Sequence, residues 1–102
     1  MYLLDTNAII YYLKDDVRAV PSLREIFEED VQIFISSITE LELFSFSDLS
    51  SRESESIEKI LSTLSIIPID SQIARLGGFL RSRHRLKTSD SVIAATALFT
   101  NS

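Results

Sequence analysis

The sequence predicts an α/β domain, a three-layer α/β/α arrangement in which a parallel sheet of three strands carries helices on both faces. Three observations predict it. Short apolar runs rich in β-branched residues alternate along the chain with segments of helical periodicity, the order that builds parallel sheets. The run Val31–Ser36 is apolar on both faces in its second half, as a strand covered on both sides should be. Asp5 closes an apolar run just where the next residues begin a helical pattern, a strand-to-helix junction.

Taken in order, Tyr2-Leu3-Leu4 is the first strand, and Asp5-Thr6-Asn7 offers three residues able to cap a helix over Ala8–Leu13, which Lys14-Asp15-Asp16 closes. A second helix follows Pro21 and runs to Glu29, with Leu23, Ile26 and Phe27 on one face and Glu25, Glu28 and Glu29 in solvent. Strand two is Val31–Ser36. Ser37 or Thr39 then caps a helix carrying Ile38, Leu41 and Phe44, and Ser45–Glu55 reads as a polar, serine-rich connection. A helix through Ile57, Ile60, Leu61 and Leu64 leads into a third strand, Leu64–Ile69, whose Pro68 puts its end near an edge. Asp70 caps the next helix, which holds Ile73, Leu76 and Leu80. Gly77 and Gly78 inside it cost about 1 kcal/mol each relative to Ala and are explained by close packing. The last helix runs from Thr88 to Leu98, with Ala94, Ala95 and Ala97 suited to an interior contact.

A chain of 102 residues supports one core and one domain. Hydrophobic residues at 45% and charged residues at 25% belong to an ordinary folded chain rather than a disordered one. The absence of cysteine removes disulfides and thiolate ligands, fits a reducing cytoplasm, and leaves carboxylates and His84 as metal-binding candidates. Neither a signal peptide nor a membrane-spanning segment is expected. The net charge of −5 argues against a nucleic-acid partner only until its distribution is considered. Residues 1–70 hold five basic and fourteen acidic side chains, net −9; residues 71–102 hold five basic and one acidic, net +4. Arg75, Arg81, Arg83, Arg85 and Lys87 form a basic strip before Asp90. They are either phosphate contacts or cations favouring the C-terminal dipole of a helix.

Asp5, Glu42 and Asp90 all stand next to apolar runs that should be buried, where carboxylates are costly unless a cation or hydrogen bonds compensate them. In parallel sheets ligands bind outside the carboxyl ends of the strands, and Asp5 lies there, with Glu42 six residues past strand two. Each acid also has a plain structural role open to it. Asp5 can cap a helix, although Thr6 or Asn7 could do so instead; Glu42 can close a capping box from Thr39, unless Ser37 is the cap; Asp90 suits the first turn of its helix. Together the three acids suit Mg²⁺ or Mn²⁺, which are held by a few carboxylates with waters completing the shell. His84, flanked by arginines, is a surface residue without a role, and Tyr11 and Tyr12 are core or interface residues.

Leu3-Leu4-Asp5-Thr6-Asn7, Ile35-Ser36-Ser37-Ile38-Thr39-Glu40-Leu41-Glu42-Leu43 and Lys87-Thr88-Ser89-Asp90-Ser91-Val92-Ile93-Ala94-Ala95-Thr96-Ala97 occur in this order, and through them the chain resembles the PIN-domain family, particularly VapC-type toxins. The resemblance implies a PIN-like fold and a Mg²⁺- or Mn²⁺-dependent endoribonuclease that hydrolyses RNA phosphodiesters with metal-activated water. It further implies a homodimeric, cytoplasmic toxin restrained by a VapB-type antitoxin. Asp5, Glu42 and Asp90 then match the family's metal-site acids and are its catalytic residues, with Asp5 and Asp90 as direct ligands and Glu42 acting through water. Thr6, Asn7 and Thr39 support the site, and Arg81, Arg83, Arg85 and Lys87 contact RNA.

The pattern departs from the family at its end. PIN domains continue past the alanine-rich helix into another strand with a Thr-Arg-Asn-like stretch and a fourth acid, and then a last strand, whereas this sequence stops at Asn101-Ser102. The expectation is one PIN-like domain over residues 1–102, C-terminally incomplete, with a sheet edge beside Asp5 left open or covered by a partner. Two other classes stay open. A non-catalytic PIN-like module could bind through that edge, and a receiver-like domain could use an acidic pocket, though it needs an acid pair after strand one where Asp5 stands alone.

Overall fold

The computed structural model describes residues 2–13, 32–46 and 49–101. Within them run β1 (Tyr2–Leu3), α1 (Thr6–Leu13), β2 (Ile33–Ser36), α2 (Ser37–Leu43), α3 (Ser51–Leu61), β3 (Ser65–Ile67), α4 (Ser71–His84) and α5 (Thr88–Thr100). The strands form one parallel sheet in the order β1-β2-β3, with Leu3 opposite Phe34 and Ile35 opposite Ile66. This is the α/β class and the strand number that the sequence predicts. The expected closing residues Lys14–Asp16, the helix from Pro21 to Glu29, Val31, and the side chains of Tyr11 and Tyr12 lie outside what is described.

All four residues of β2 are buried, which requires cover on both faces. Ile33 and Ile35 join Leu4, Ile9, Leu43, Ile57, Ile60 and Leu61 in one cluster. Ile73, Val92 and Ala95 form a second, against which Ile38, Ile67, Leu76 and Leu80 pack. Successive strand residues point to opposite faces, and Ile67 pairs in register with Ser36 rather than Ile35. The second cluster therefore sits on the far side of the sheet from the first. Pairing of β3 stops at Ile67, before Pro68, which has no N–H to donate, and among the described strands β3 lies at a sheet edge as expected.

Several junctions differ from the sequence expectation, each for a local reason. The cap of α2 is Ser36, not Ser37 or Thr39: its backbone is extended (φ −81°, ψ 149°) and its Oγ accepts the Ile38 N–H at 3.2 Å. Ser37 Oγ is engaged elsewhere, accepting the Ile69 N–H, and Thr39 is fully buried inside the helix. With Thr39 and Leu43 inward, Leu41 lies about 200° around the helix from Thr39 and is exposed, as is Phe44. The apolar face assigned to Leu41 and Phe44 is thus wrong. The connection predicted over Ser45–Glu55 is also too long. Ser50 and Glu53 form a reciprocal capping box, Ser50 Oγ accepting the Glu53 N–H and Glu53 Oε1 the Ser50 N–H, so α3 begins at Ser51.

Asp70 does cap α4, its Oδ1 accepting the Ile73 N–H at 2.9 Å. The two glycines that follow separate in role. A Cβ on Gly77 would come to 3.4 Å from the Ser91 carbonyl oxygen and 3.8 Å from Ala95 Cβ, so α4 lies against α5 with room for a methyl and no more. Gly78 has nothing within 4 Å, and close packing does not account for it. Gly78→Ala is therefore expected to stabilise the fold by about 0.5–1 kcal/mol, seen as a raised urea midpoint at unchanged slope, whereas Gly77→Leu should lower it. Arg85 ends α4 in the left-handed region (φ 53°) and turns the chain toward α5. No helix among the described residues is long and apolar enough to cross a membrane.

Candidate functional site

The turn after β1, the C-terminal turn of α2 and the first turn of α5 meet around a cleft of about 400 Å³. Asp5, Glu42 and Asp90 all line it, so residues far apart in sequence reach one place as expected. Thr6, Asn7, Ser45 and Ser89 add polar surface, and Ile10, Phe46 and Ile93 add apolar surface.

Asp5 follows β1 and does serve as a cap: its Oδ1 accepts the Ala8 N–H at 2.8 Å, and α1 starts at Thr6, two residues before the predicted start. Thr6 and Asn7 do not take that duty from it. One carboxylate oxygen is engaged in this way while the side chain stays exposed to the cleft. Thr6 is buried and donates to Glu42 Oε1 at 2.7 Å, with the buried Thr39 hydroxyl 3.4 Å behind it. A hydroxyl has one proton to give, and the shorter contact takes it. Glu42 is half-buried, one turn past the start of α2, and its hydrogen bond is with Thr6 rather than with any capping position. Thr6 and Thr39 thus lie next to each other, with Thr6 bonded to Glu42. Asn7 is exposed along the cleft.

Asp90 occupies the first turn of α5, whose cap, Lys87, makes no side-chain capping bond. The carboxylate is exposed. The runs beside the three acids are buried, at Leu4, Leu43 and Ser91–Val92, but Asp5 and Asp90 themselves are exposed and only Glu42 is half-buried. Among the described residues no three His, Cys, Asp or Glu side chains by themselves form a group that could hold a metal ion. An all-oxygen set spread around a roomy cleft still matches Mg²⁺ or Mn²⁺, which dehydrate reluctantly and are held by one or two carboxylates with waters between.

Arg81, Arg83, Arg85 and Lys87 are exposed on the end of α4 and the turn to α5, and none lines the cleft. The Arg83 guanidinium lies over the Phe79 ring, 5.0 Å from its centre. His84 is exposed. A second, shallower groove of about 500 Å³ shares Asp5 and Asp90 and runs along Leu3, Leu4, Ala94 and Ala97, beside the edge of β1 that pairs with no described strand. The cleft residues missed from sequence are Ile10, Ser45, Phe46, Ser89 and Ile93. Spacing from the acids could have found one of them, since Ile93 follows Asp90 by three residues on the same helix.

A family model described as PIN domain matches residues 2–102. Among solved structures, a toxin–antitoxin complex from Klebsiella pneumoniae is similar at 29% identity and a TM-score of 0.83, over 99% of this chain and 81% of that one. The VapBC2 complex from Rickettsia felis, bound to a DNA fragment from its promoter, is similar at 26% identity and a TM-score of 0.81, over 99% and 82%. FitAcB from Neisseria gonorrhoeae is 30% identical with a TM-score of 0.73, over 95% and 80%. No curated protein sequence matches.

Proposed function

Because the chain belongs to the PIN-domain family, we propose that it is the toxin of a toxin–antitoxin pair and acts as a divalent-metal-dependent endoribonuclease, with Asp5, Glu42 and Asp90 as its working acids. The observation that carries this is the meeting of the three carboxylates in one cleft. A cleft lined by acids repels an RNA phosphate unless a cation stands between them. Asp5 and Asp90, both exposed, would hold Mg²⁺ or Mn²⁺, and Glu42 would do so through water. When bound, the ion supplies Lewis-acid polarisation of the phosphoryl oxygen, a more acidic water and charge neutralisation.

The chain's own residues account for the rest. Thr6 holds one oxygen of Glu42 and leaves the other to orient water or accept its proton. The Asp5 bond to Ala8 ties that carboxylate to the rigid start of α1, so its direction is set before substrate arrives. Arg81, Arg83, Arg85 and Lys87 would hold the RNA backbone outside the cleft as a point-charge strip. A VapB-type antitoxin as partner, supported by similarity to complexes solved as toxin–antitoxin pairs, forms part of the same proposal, together with a homodimer and a cytoplasmic location.

The decisive measurement is cleavage of a structured RNA in Mg²⁺ or Mn²⁺ against the same reaction in excess chelator. Cleavage should require the metal and return when it is restored; equal rates in chelator would overturn the proposal. One observation favours a second reading, a non-catalytic module that binds through the β1 edge: the apolar groove along Leu3, Leu4, Ala94 and Ala97. Tight partner binding with no RNA turnover under any metal condition would favour it.

A further inference from the structure

We propose that Phe46 is a positioning residue that stacks on a nucleobase beside the scissile phosphate, so that the cleft takes an unpaired nucleotide; this rests on the ribonuclease reading above. The cleft has two chemical halves. Asp5, Glu42 and Asp90 serve the phosphate, through a cation, and Ile10, Phe46 and Ile93 form an apolar side. The two isoleucines are partly buried, while Phe46 is 53% exposed.

The phenyl ring is delivered there by fixed backbone. After α2, the Phe44 N–H donates to the Glu40 carbonyl at 3.1 Å, the Ser45 N–H to the Glu42 carbonyl at 3.2 Å, and Ser45 Oγ to the Leu41 carbonyl. These three bonds set the turn immediately before Phe46. Phe46 thus follows Glu42 by four residues, past the end of α2, and lines the same cleft.

An aromatic face carries negative quadrupole charge, so the neighbouring carboxylates are poor partners for it. A nucleobase is a good one, and in an RNA chain bases flank every phosphate. A phosphodiester drawn to the acids brings a base within reach of the apolar side. In a duplex each base is already stacked on both faces; only an unpaired, splayed base has a face to offer.

The test is steady-state cleavage of a single-stranded oligoribonucleotide, and of copies made abasic at single positions around the mapped cut. The full chain, Phe46→Ala, Phe46→Leu and Phe46→Trp are compared, with Asp5→Asn as control and unfolding midpoints recorded for all. Phe46→Ala should raise KM about tenfold with kcat little changed, and Phe46→Trp should restore KM to within about twofold of the parent. On the substrate abasic at the stacked position the Phe46→Ala penalty should disappear, as for two changes that remove one contact. If Phe46→Leu rescues as well as Phe46→Trp, the role is apolar bulk and stacking is overturned. If all Phe46 variants match the parent while Asp5→Asn is inactive, stacking falls and the ribonuclease reading stands. If the parent neither binds nor cleaves RNA, or Asp5→Asn cleaves equally, both fall. Weakened inhibition by a protein partner with unchanged RNA parameters would put Phe46 at a protein interface and likewise overturn the assignment.

Discussion

Asp90→Asn and Asp5→Asn are each expected to lower metal-dependent RNA cleavage by at least about 100-fold, the scale on which an enzyme loses a preorganised electrostatic group aimed at developing charge. Both substitutions change charge and almost no volume. The fold should survive each for a reason visible in the structure. Asn is as good a helix cap as Asp, so Asp5→Asn keeps the bond from the Ala8 N–H. Asp90 is exposed and contributes no capping bond to α5, so its loss removes only a dipole interaction. Unfolding midpoints close to the parent with cleavage lost would tie both carboxylates to chemistry. Cleavage within tenfold of the parent in both variants, with the metal requirement intact, would remove them from it.

Ile35→Ala should cost about 3 kcal/mol, within the range for emptying a fully buried aliphatic site. Ile35 is 0% exposed, lies on the central strand between β1 and β3, and packs with Ile9, Leu43 and Ile57 from three different helices. A cavity there is lined by elements held by the rest of the core, so little collapse can fill it. For a domain whose total stability is of order 5–15 kcal/mol this is a large fraction. The check is a urea titration that shows a lower midpoint at unchanged slope. Leu98→Ala, at a residue 62% exposed, is the matched control and should move stability by no more than about 0.5 kcal/mol. A loss below about 1 kcal/mol at Ile35 would mean that the site relaxes freely and that β2 is not the keystone of the sheet.

The parts of the fold legible in the sequence were those that depend on neighbours along the chain. The Asp70 cap and the start of α5 at Thr88 rest on interactions spanning four residues or fewer, the run through Ile33–Ser36 shows in the composition of one short stretch, and each stands where it was expected. Where several polar residues lie side by side, the choice among them was not legible. Ser36, Ser37 and Thr39 can all cap a helix, and what decided was that Ile69 engages Ser37 and the core encloses Thr39. The Ser50–Glu53 box could have been read from its spacing and was hidden by the serine-rich stretch around it. Phe46 carried no periodic signal, since it lies past the end of α2.

By itself the sequence determined the α/β class, the three strands and the placing of an acid near three element boundaries, because periodicity and capping chemistry are local properties of a chain. Tertiary structure decided which acids share a cleft, that Thr6 holds one oxygen of Glu42, and that the exposed Phe46 lines the same cleft. Those facts depend on distant segments being brought together: Thr6 and Glu42 are 36 residues apart, and Asp5 and Asp90 are 85. Their spacing in space is set by how α1, α2 and α5 pack around the sheet, and no short stretch of sequence encodes that packing alone.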